Sequence, residues 1–417
     1  MKEMNRYPIS ENARVISGFA FKSTEFMDSG IPVIKINNVK KETITLDDCQ
    51  FVDKKYLSLK EKYKINNGDV LIALTGSHLS QPNSVVGRVA QYSYKEMALL
   101  NQRVGKFIIK DRNKLDLIFL YYYLIQGNVL YGLALNAKGS ANQANISPSD
   151  VERIRIPEFK LGNQKNIASI LSVYDDCINN NRRRIQLLEE AARLLYREWF
   201  VYFRFPGHEK VKLVDHEGIA IPEGWNYLPI TKIKIFKKTS VGVPVFVDTR
   251  QYYQTSEIDG TNITGSGEEV DYENRPSRAG VTPRINTVYF AKMKDTNKVV
   301  YFNKGNAELL EKILLSTGMA GFSTNEKYLA FLFGLLTSYE FVQNKNNYAT
   351  GATQVSLSDG GLKKIKIILP KLELIEKYSS IINSSLEACS YLRNQNQKLA
   401  QARDLLLPRL MSGNIEV

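Results

Sequence analysis

Two His-Glu pairs, His208-Glu209 and His216-Glu217, open like the motif in which a second His four residues on completes a zinc-binding helix face. Four residues after each His stand Lys212 and Ala220, so no ligand pair results. Asp53-Lys54-Lys55 carries the last part of a nuclease motif, but no Pro-Asp precedes it. The stretch ITGSGEE (263–269) lacks the Lys-Ser/Thr by which a P-loop reaches phosphates and magnesium. No GxGxxG, no GxSxG and no Asn/Asp-Pro-Pro-aromatic tetrapeptide occurs. Cys49, Cys177 and Cys389 are scattered, without a CxxC or a His at ligand spacing, which argues against a disulfide framework and a zinc site. With three His, general-base chemistry would rest on carboxylates, and no isolated pair stands out. These absences leave an enzyme with unfamiliar motifs as the weaker reading.

What the sequence does offer is polar and basic loops. Lys and Arg total 56 against 43 acidic residues, a net charge of +13, which favours a polyanionic partner. Arg, Lys, Asn, Gln, Ser and Thr are the residues that contact DNA phosphates and base edges. They concentrate in GSHLSQPNSVVGR (76–88), NQR (101–103), AKGSANQAN (137–145), YENRPSRAGVTPR (272–284) and NKNNYATGATQ (344–354). The candidate contacts are Arg88, Arg103, Lys138, Ser140, Asn142, Gln143 and Asn145 in the first half of the chain. In the second half they are Arg275, Arg278, Arg284, Lys345, Thr350, Thr353 and Gln354. Taken singly each could be a solvated turn, since the same residue types build loops for backbone reasons. An alternative of another class, a protein-binding module pair, would show no preference for one duplex sequence over a scrambled one.

These loops are positioned by elements that occur twice. SANQANIS (140–147) followed by VERIRI (151–156) matches GATQVSLS (351–358) followed by LKKIKI (362–367), at an offset of 211 residues. The same offset superposes LDLIFLYYYL (115–124) on EKYLAFLFGL (326–335) and IASIL (167–171) on YSSII (378–382). The order is module, helix, module, helix, with boundaries at 1–157, 158–205, 206–370 and 371–417. In the first module IPVIKI (31–36), DVLIAL (69–74), VVGRVA (85–90) and KFII (106–109) have strand chemistry, and 115–126 has helical spacing. In the second, VPVFV (243–247), TVYFAKM (287–293) and KVVYF (298–302) predict strands, and Tyr328 to Val342 a helix.

Each helical segment carries a heptad seam. The first runs Ile167, Leu171, Tyr174, Ile178, Asn181, Ile185, Leu188, Ala192, Leu195, Trp199; the second, from Ile375, runs Tyr378, Ile382, Ser385, Cys389, Leu392, Asn396, Leu399, Arg403, Leu406. Such seams predict an antiparallel pair of long helices, with Asn181 and Asn396 fixing the register. Arg403 and Asn396 on the second seam predict further support from the modules or from partner helices. In the ending LLPRLMSGNIEV, Leu405, Leu406 and Leu410 are expected to be the last apolar turns, Ser412-Gly413 the stop, and Asn414 to Val417 a tail returning to the first module. The start, MKEMNRYPIS, lacks the apolar core of a signal peptide, and the longest apolar stretch, Leu329 to Leu336, is too short to span a bilayer. A soluble, intracellular and cytoplasmic protein without a membrane partner is expected.

On these residues the chain resembles the specificity subunit of type I restriction-modification enzymes. ARDLLLPRLMSGNIEV (402–417) is similar to the family's C-terminal signature and RIQLLEEAARLLYREWFVYFRFPGHE (184–209) to its central region. IPEGWNYLPI (221–230) resembles the entry to its second recognition domain, and SGFAFKS (17–23) with NISPSDVERIRIP (145–157) the first. The resemblance implies an α+β chain: two α/β target recognition domains in a pseudo-two-fold repeat, separated by two long antiparallel helices in a coiled coil. It implies that each domain reads half of a split, asymmetric DNA site, with helix length setting the unread spacer. It also implies that this chain binds no cofactor. S-adenosylmethionine, ATP and magnesium would be used by its partners, two modification (methyltransferase) subunits docked on the helices and the restriction (translocase and nuclease) subunits.

Overall fold

The computed structural model describes the chain apart from residues 1–3, 41, 47, 78–85, 136, 141, 142 and 353, and for 138 and 140 the backbone alone. The chain divides into two compact units, residues 1–177 with 399–417, and residues 178–398. Each is an α+β body with its own cores.

In the first unit the apolar, β-branched runs pair as strands. Ala13–Ser17, Val104–Ile109, Val70–Ala73, Val89–Gln91 and Glu42–Thr43 form one sheet in that order; Gln50–Val52, Ile31–Ile34, Ala98–Leu100 and Lys64–Ile65 form another. The helix Leu117–Leu124 starts where the Asp116 carboxylate accepts from the amides of Ile118 and Phe119, both at 2.9 Å. Its residues from Phe119 to Leu124 are all buried, so it is a core helix. In the second unit the sheets are Lys237–Lys238, Met319–Ser323, Thr287–Ala291, Val299–Phe302, and Glu268–Val270, Arg250–Tyr253, Ile313–Leu315. Among the described residues no single helix is long and apolar enough to cross a membrane.

The 211-residue echo survives in three dimensions. Ser147 caps the short helix Pro148–Glu152 by accepting from the Asp150 amide, and Ser358 caps Asp359–Leu362 by accepting from that of Gly361. Strand Arg155–Pro157 pairs antiparallel with Arg6–Pro8, and Lys366–Leu369 with Asn226–Pro229. The long helices begin at Leu161 and Leu372 and run to Tyr196 and Met411.

Two expectations are corrected here. VPVFV (243–247) is no strand: Pro244 offers no amide to a ladder, Val245 and Val247 lie exposed, and the strand begins at Arg250. The helix expected from Tyr328 to Val342 is two, Glu326–Thr337 and Tyr339–Asn347. They are broken at Ser338, whose extended backbone (ψ 151°) lets its hydroxyl cap the second by accepting from the Phe341 amide.

The helices pair antiparallel within each unit. In the second, Asn181 donates to Asn396 Oδ1 and to Gln395 Oε1, each at 3.0 Å, so the two seam asparagines meet as expected. Ile178, Ile185, Ile382 and Leu392 are buried, with Leu188 and Leu195 partly so, and Tyr378 donates its hydroxyl to Ala192 O at 2.8 Å. Arg393 ties the pair to the module, donating to Glu189 Oε1 at 2.6 Å, to the Tyr301 hydroxyl at 2.8 Å and to Thr261 Oγ1 at 3.0 Å. A second face of the same helix lies on the module: Asn394 donates to Gly305 O at 2.8 Å, and a Cβ on Gly305 would stand 2.7 Å from Glu387 O and 2.9 Å from Ser390 Cβ. Gly305→Ala should therefore lower unfolding stability by roughly 1–3 kcal/mol through overpacking; an unchanged denaturation midpoint would show that the helix can yield there.

In the first unit Ile167 and Leu171 are buried with Leu407, Leu410 and Met411, and Leu406 packs at the edge of that core. Leu399 is half-buried. Leu406 of the seam is only partly buried and Leu407 takes the inner place, because a 3.6-residue turn drifts off a strict heptad, while Leu405 is 70% exposed. Arg403 is only 5% exposed and bonds Glu42 Oε2 at 2.7 Å, Asp175 Oδ1 at 2.5 Å and Asp404 Oδ1 at 2.8 Å. The polar seam residue is thus supported by its module. Burial alone would lower its pKa, but the carboxylates of Glu42 and Asp175 outweigh that and hold it firmly charged. Gly413 (φ +72°) ends the helix, with its amide donating to Leu410 O and that of Asn414 to Arg409 O, and Ile415 and Val417 pack on the first unit's core.

Candidate nucleic-acid interface

In the second unit, loops that are far apart in sequence meet around a cleft of about 640 Å³. Strand Ile313–Leu315 runs parallel to Arg250–Tyr253, which delivers Ser316, Thr317 and Gly318 beside Gln254 and Thr255 at the strand ends. The turn at Pro276 to Arg278 is held against them, Thr317 N donating to Arg278 O at 2.8 Å. The hairpin of Ala349–Thr350 and Ser356–Leu357 closes the other side, through the bridge of Ser356 to Met293 and the bond from Leu357 N to Lys292 O at 2.8 Å. Arg278, Lys292, Glu268, Gln254 and Gln354 all line the cleft, offering both donors and acceptors.

Of the second-module candidates, Arg278 and Gln354 line the cleft, both exposed, and Thr350 stands exposed on the hairpin strand. Arg284 is exposed but not part of the lining. Arg275 is turned back on its own loop, its guanidinium 4.1 Å from the Tyr272 ring centre and donating to Tyr272 O. Lys345 is a correction. It lies in helix Tyr339–Asn347, is 2% exposed, and gives its ammonium to the carbonyls of Met293 (2.8 Å), Ala291 (3.3 Å) and Thr296. Burial pushes its pKa down to about 8, with Asp295 opposing. It braces the segment 291–296 from beneath, with its ammonium committed to those carbonyls. Thr353 lies outside the described residues.

The first unit repeats the strand-end loop and the hairpin with different residues. Leu74 N donates to Arg103 O at 2.9 Å, as Lys292 N does to Gly318 O, so Asn101-Gln102-Arg103 is the counterpart of 316–318. Ala73 N donates to Arg88 O at 2.9 Å, which puts Arg88 and Arg103 on either side of one strand end. The hairpin Lys138–Ser140 and Gln143–Asn145 pairs through Asn145 and Ala144 with Thr75 and Gly76, where Thr75 Oγ1 also donates to Asn145 Oδ1 at 2.8 Å. Arg103, Gln143 and Asn145 are exposed; Arg88 is half-buried, which lowers its pKa. Asn142 and most of the loop 76–88 lie outside the described residues, as do the side chains of Lys138 and Ser140.

Sequence reasoning missed Gln254, Thr255, Ser316 and Thr317. The signal lies in the parallel strands Ala98–Leu100 and Ile313–Leu315, whose loops correspond at an offset other than 211, so the repeat did not expose it. The motif fragments set aside earlier have structural roles. Asp53 accepts from Lys55 N at 2.7 Å as a cap, and Gly267 of ITGSGEE donates its amide to Glu257 Oε1 at 3.0 Å. Among the described residues no group of three or more His, Cys, Asp or Glu gathers that could hold a metal ion.

Residues 1–190 match the family model described as the type I restriction modification DNA specificity domain. The chain is 24% identical over 404 residues to the putative type I restriction enzyme MjaX specificity subunit of Methanocaldococcus jannaschii, spanning 93% of this chain and 88% of that protein. It is 26% identical over 235 residues to the EcoBI specificity subunit of Escherichia coli, 53% of this chain and 44% of that protein. Among solved structures, the crystal structure of the type I restriction-modification S subunit from M. genitalium is similar with a TM-score of 0.54 at 16% identity, covering 98% and 97% of the two chains; that likeness concerns the fold alone.

Proposed function

We infer that this chain, which is similar to type I restriction enzyme specificity subunits and matches the DNA specificity domain over residues 1–190, is the sequence-specific DNA-binding subunit of such a complex, without a reaction of its own. One observation carries the reading beyond the family. The two units present the same pairing of a strand-end loop with a hairpin but different residues on the loop, Arg103 where the other has Gly318, which is what two readers of two unlike half-sites need.

In this reading the modules 1–157 and 206–370 each take one half of a bipartite, asymmetric site, through Arg88, Arg103, Gln143 and Asn145 in one and Arg278, Thr350 and Gln354 in the other. The helical segments 158–205 and 371–417 set the number of unread base pairs. Its partners are DNA and the remaining subunits of the complex: two modification subunits that transfer methyl groups from S-adenosylmethionine, and restriction subunits that use ATP and magnesium. The chain's part in methylation is to hold the duplex in register while a base is flipped out.

The test is to map methylated positions in DNA modified by this chain with its partner subunits. A split, asymmetric consensus is expected; methylation with no sequence preference, or S-adenosylmethionine binding by the isolated chain, would count against the reading. Inserting four residues into each long helix adds about 6 Å. The unread spacer should then grow by about one to two base pairs, each about 3.4 Å, with both half-sites unchanged; altered half-sites would refute the spacer role.

A further inference from the structure

Along the two hairpins, residues identical between the modules at equivalent places include Gly139 and Gly351, Gln143 and Gln354, and Ser147 and Ser358. Two of these pairs have internal reasons. The glycines sit at φ +138° and +139°, where a side chain would run into the backbone carbonyl oxygen of Gln143 in one hairpin and of Gln354 in the other. The serines cap short helices.

The glutamines have no such reason. Both side chains are exposed, and neither has a hydrogen-bond partner among the described residues. Their backbones are nonetheless placed alike against the glycine, although three residues separate Gly139 from Gln143 and two separate Gly351 from Gln354. An insertion has been absorbed on one side without displacing the glutamine. In the second unit that side chain lines the cleft.

A residue that reads a base should differ between modules that read different half-sites, as Arg103 and its counterpart Gly318 do. A residue kept in both, exposed and without a partner among the described residues, serves something both half-sites present. We propose that Gln143 and Gln354 are equivalent, target-independent contact residues, their carboxamides hydrogen-bonding a DNA group common to the two half-sites. The inference rests on the DNA-reading function given above. A carboxamide, with two donors and an acceptor, suits either a backbone group or the edge of a base that both halves share.

The experiment uses the full complex on DNA with both half-sites randomised, comparing wild type with Gln143→Ala and Gln354→Ala, and with Gln143→Met and Gln354→Met to keep side-chain length. Each variant should lose modification about 10-fold, the worth of one hydrogen bond to DNA, with thermal unfolding unchanged. Loss at all sequences alike would place the contact on the sugar-phosphate backbone; relaxed preference for the same base in both half-sites would place it on a shared base. Preferences changed at different bases in the two halves, an effect in one variant only, or wild-type modification in both would overturn the proposal. If wild type itself shows no half-site preference, it is the DNA-reading function that fails, which this control separates from failure of the glutamine assignment.

Discussion

Replacing Arg403 by Ala should lower the unfolding free energy by roughly 3–5 kcal/mol, the range for breaking a buried ion pair by removing one partner. The guanidinium is nearly sealed from solvent and meets Glu42 from the module, Asp175 from the first long helix and Asp404 from its own helix. Asp175 is also committed, accepting from the Tyr122 hydroxyl at 2.6 Å. Truncation leaves Glu42 and Asp175, about one-fifth exposed, facing each other without a counter-charge. The measurement is denaturant unfolding of Arg403→Ala beside Asp404→Ala, whose carboxylate is 54% exposed and should matter by less than about 1 kcal/mol. Equal small effects would mean that water reaches the cluster and screens it. The methylated sequence should not change in whatever Arg403 variant still assembles, because the cluster's bonded partners, Glu42, Asp175, Asp404 and Tyr122, are not candidate DNA contacts.

Arg278→Ala should change only the half-site assigned to the second unit. Arg278 is exposed and lines the cleft, on a turn fixed by the bond from Thr317 N, so its reach is set by the fold while its guanidinium has no partner among the described residues. A lost bidentate contact is worth about 1–3 kcal/mol, or roughly 5- to 150-fold in discrimination at one base pair. Competition binding against duplexes varied one position at a time reads this directly. A uniform loss at every sequence, with a salt dependence shallower by about one phosphate contact, would assign Arg278 to the backbone instead.

Local chemistry was legible wherever a residue acts on its own neighbours. The repeat offset paired the segments that become the long helices and those that hold the capping Ser147 and Ser358, and the asparagines on the two seams do meet. The failures have a common cause. VPVFV has the composition of a strand, yet Pro244 and the absence of a neighbouring ladder leave it unpaired, with Val245 and Val247 exposed. Lys345 has the composition of a loop cation, yet carbonyls from residues 291–296 gather around it. Leu405 and Leu407 cannot be ranked by a heptad, because the inner face depends on what the helix lies against.

The sequence by itself determined the two-fold internal design, the caps and stops of its helices and the polar loops from which contacts are drawn, since these depend on spacing and on residues within a turn of each other. Only the tertiary structure decided which polar residues converge. Arg278 and Gln354 are more than seventy residues apart and share a cleft because a parallel strand pair and a hairpin bridge bring their loops together. That pairing is a long-range contact, and no local pattern in the chain encodes its register.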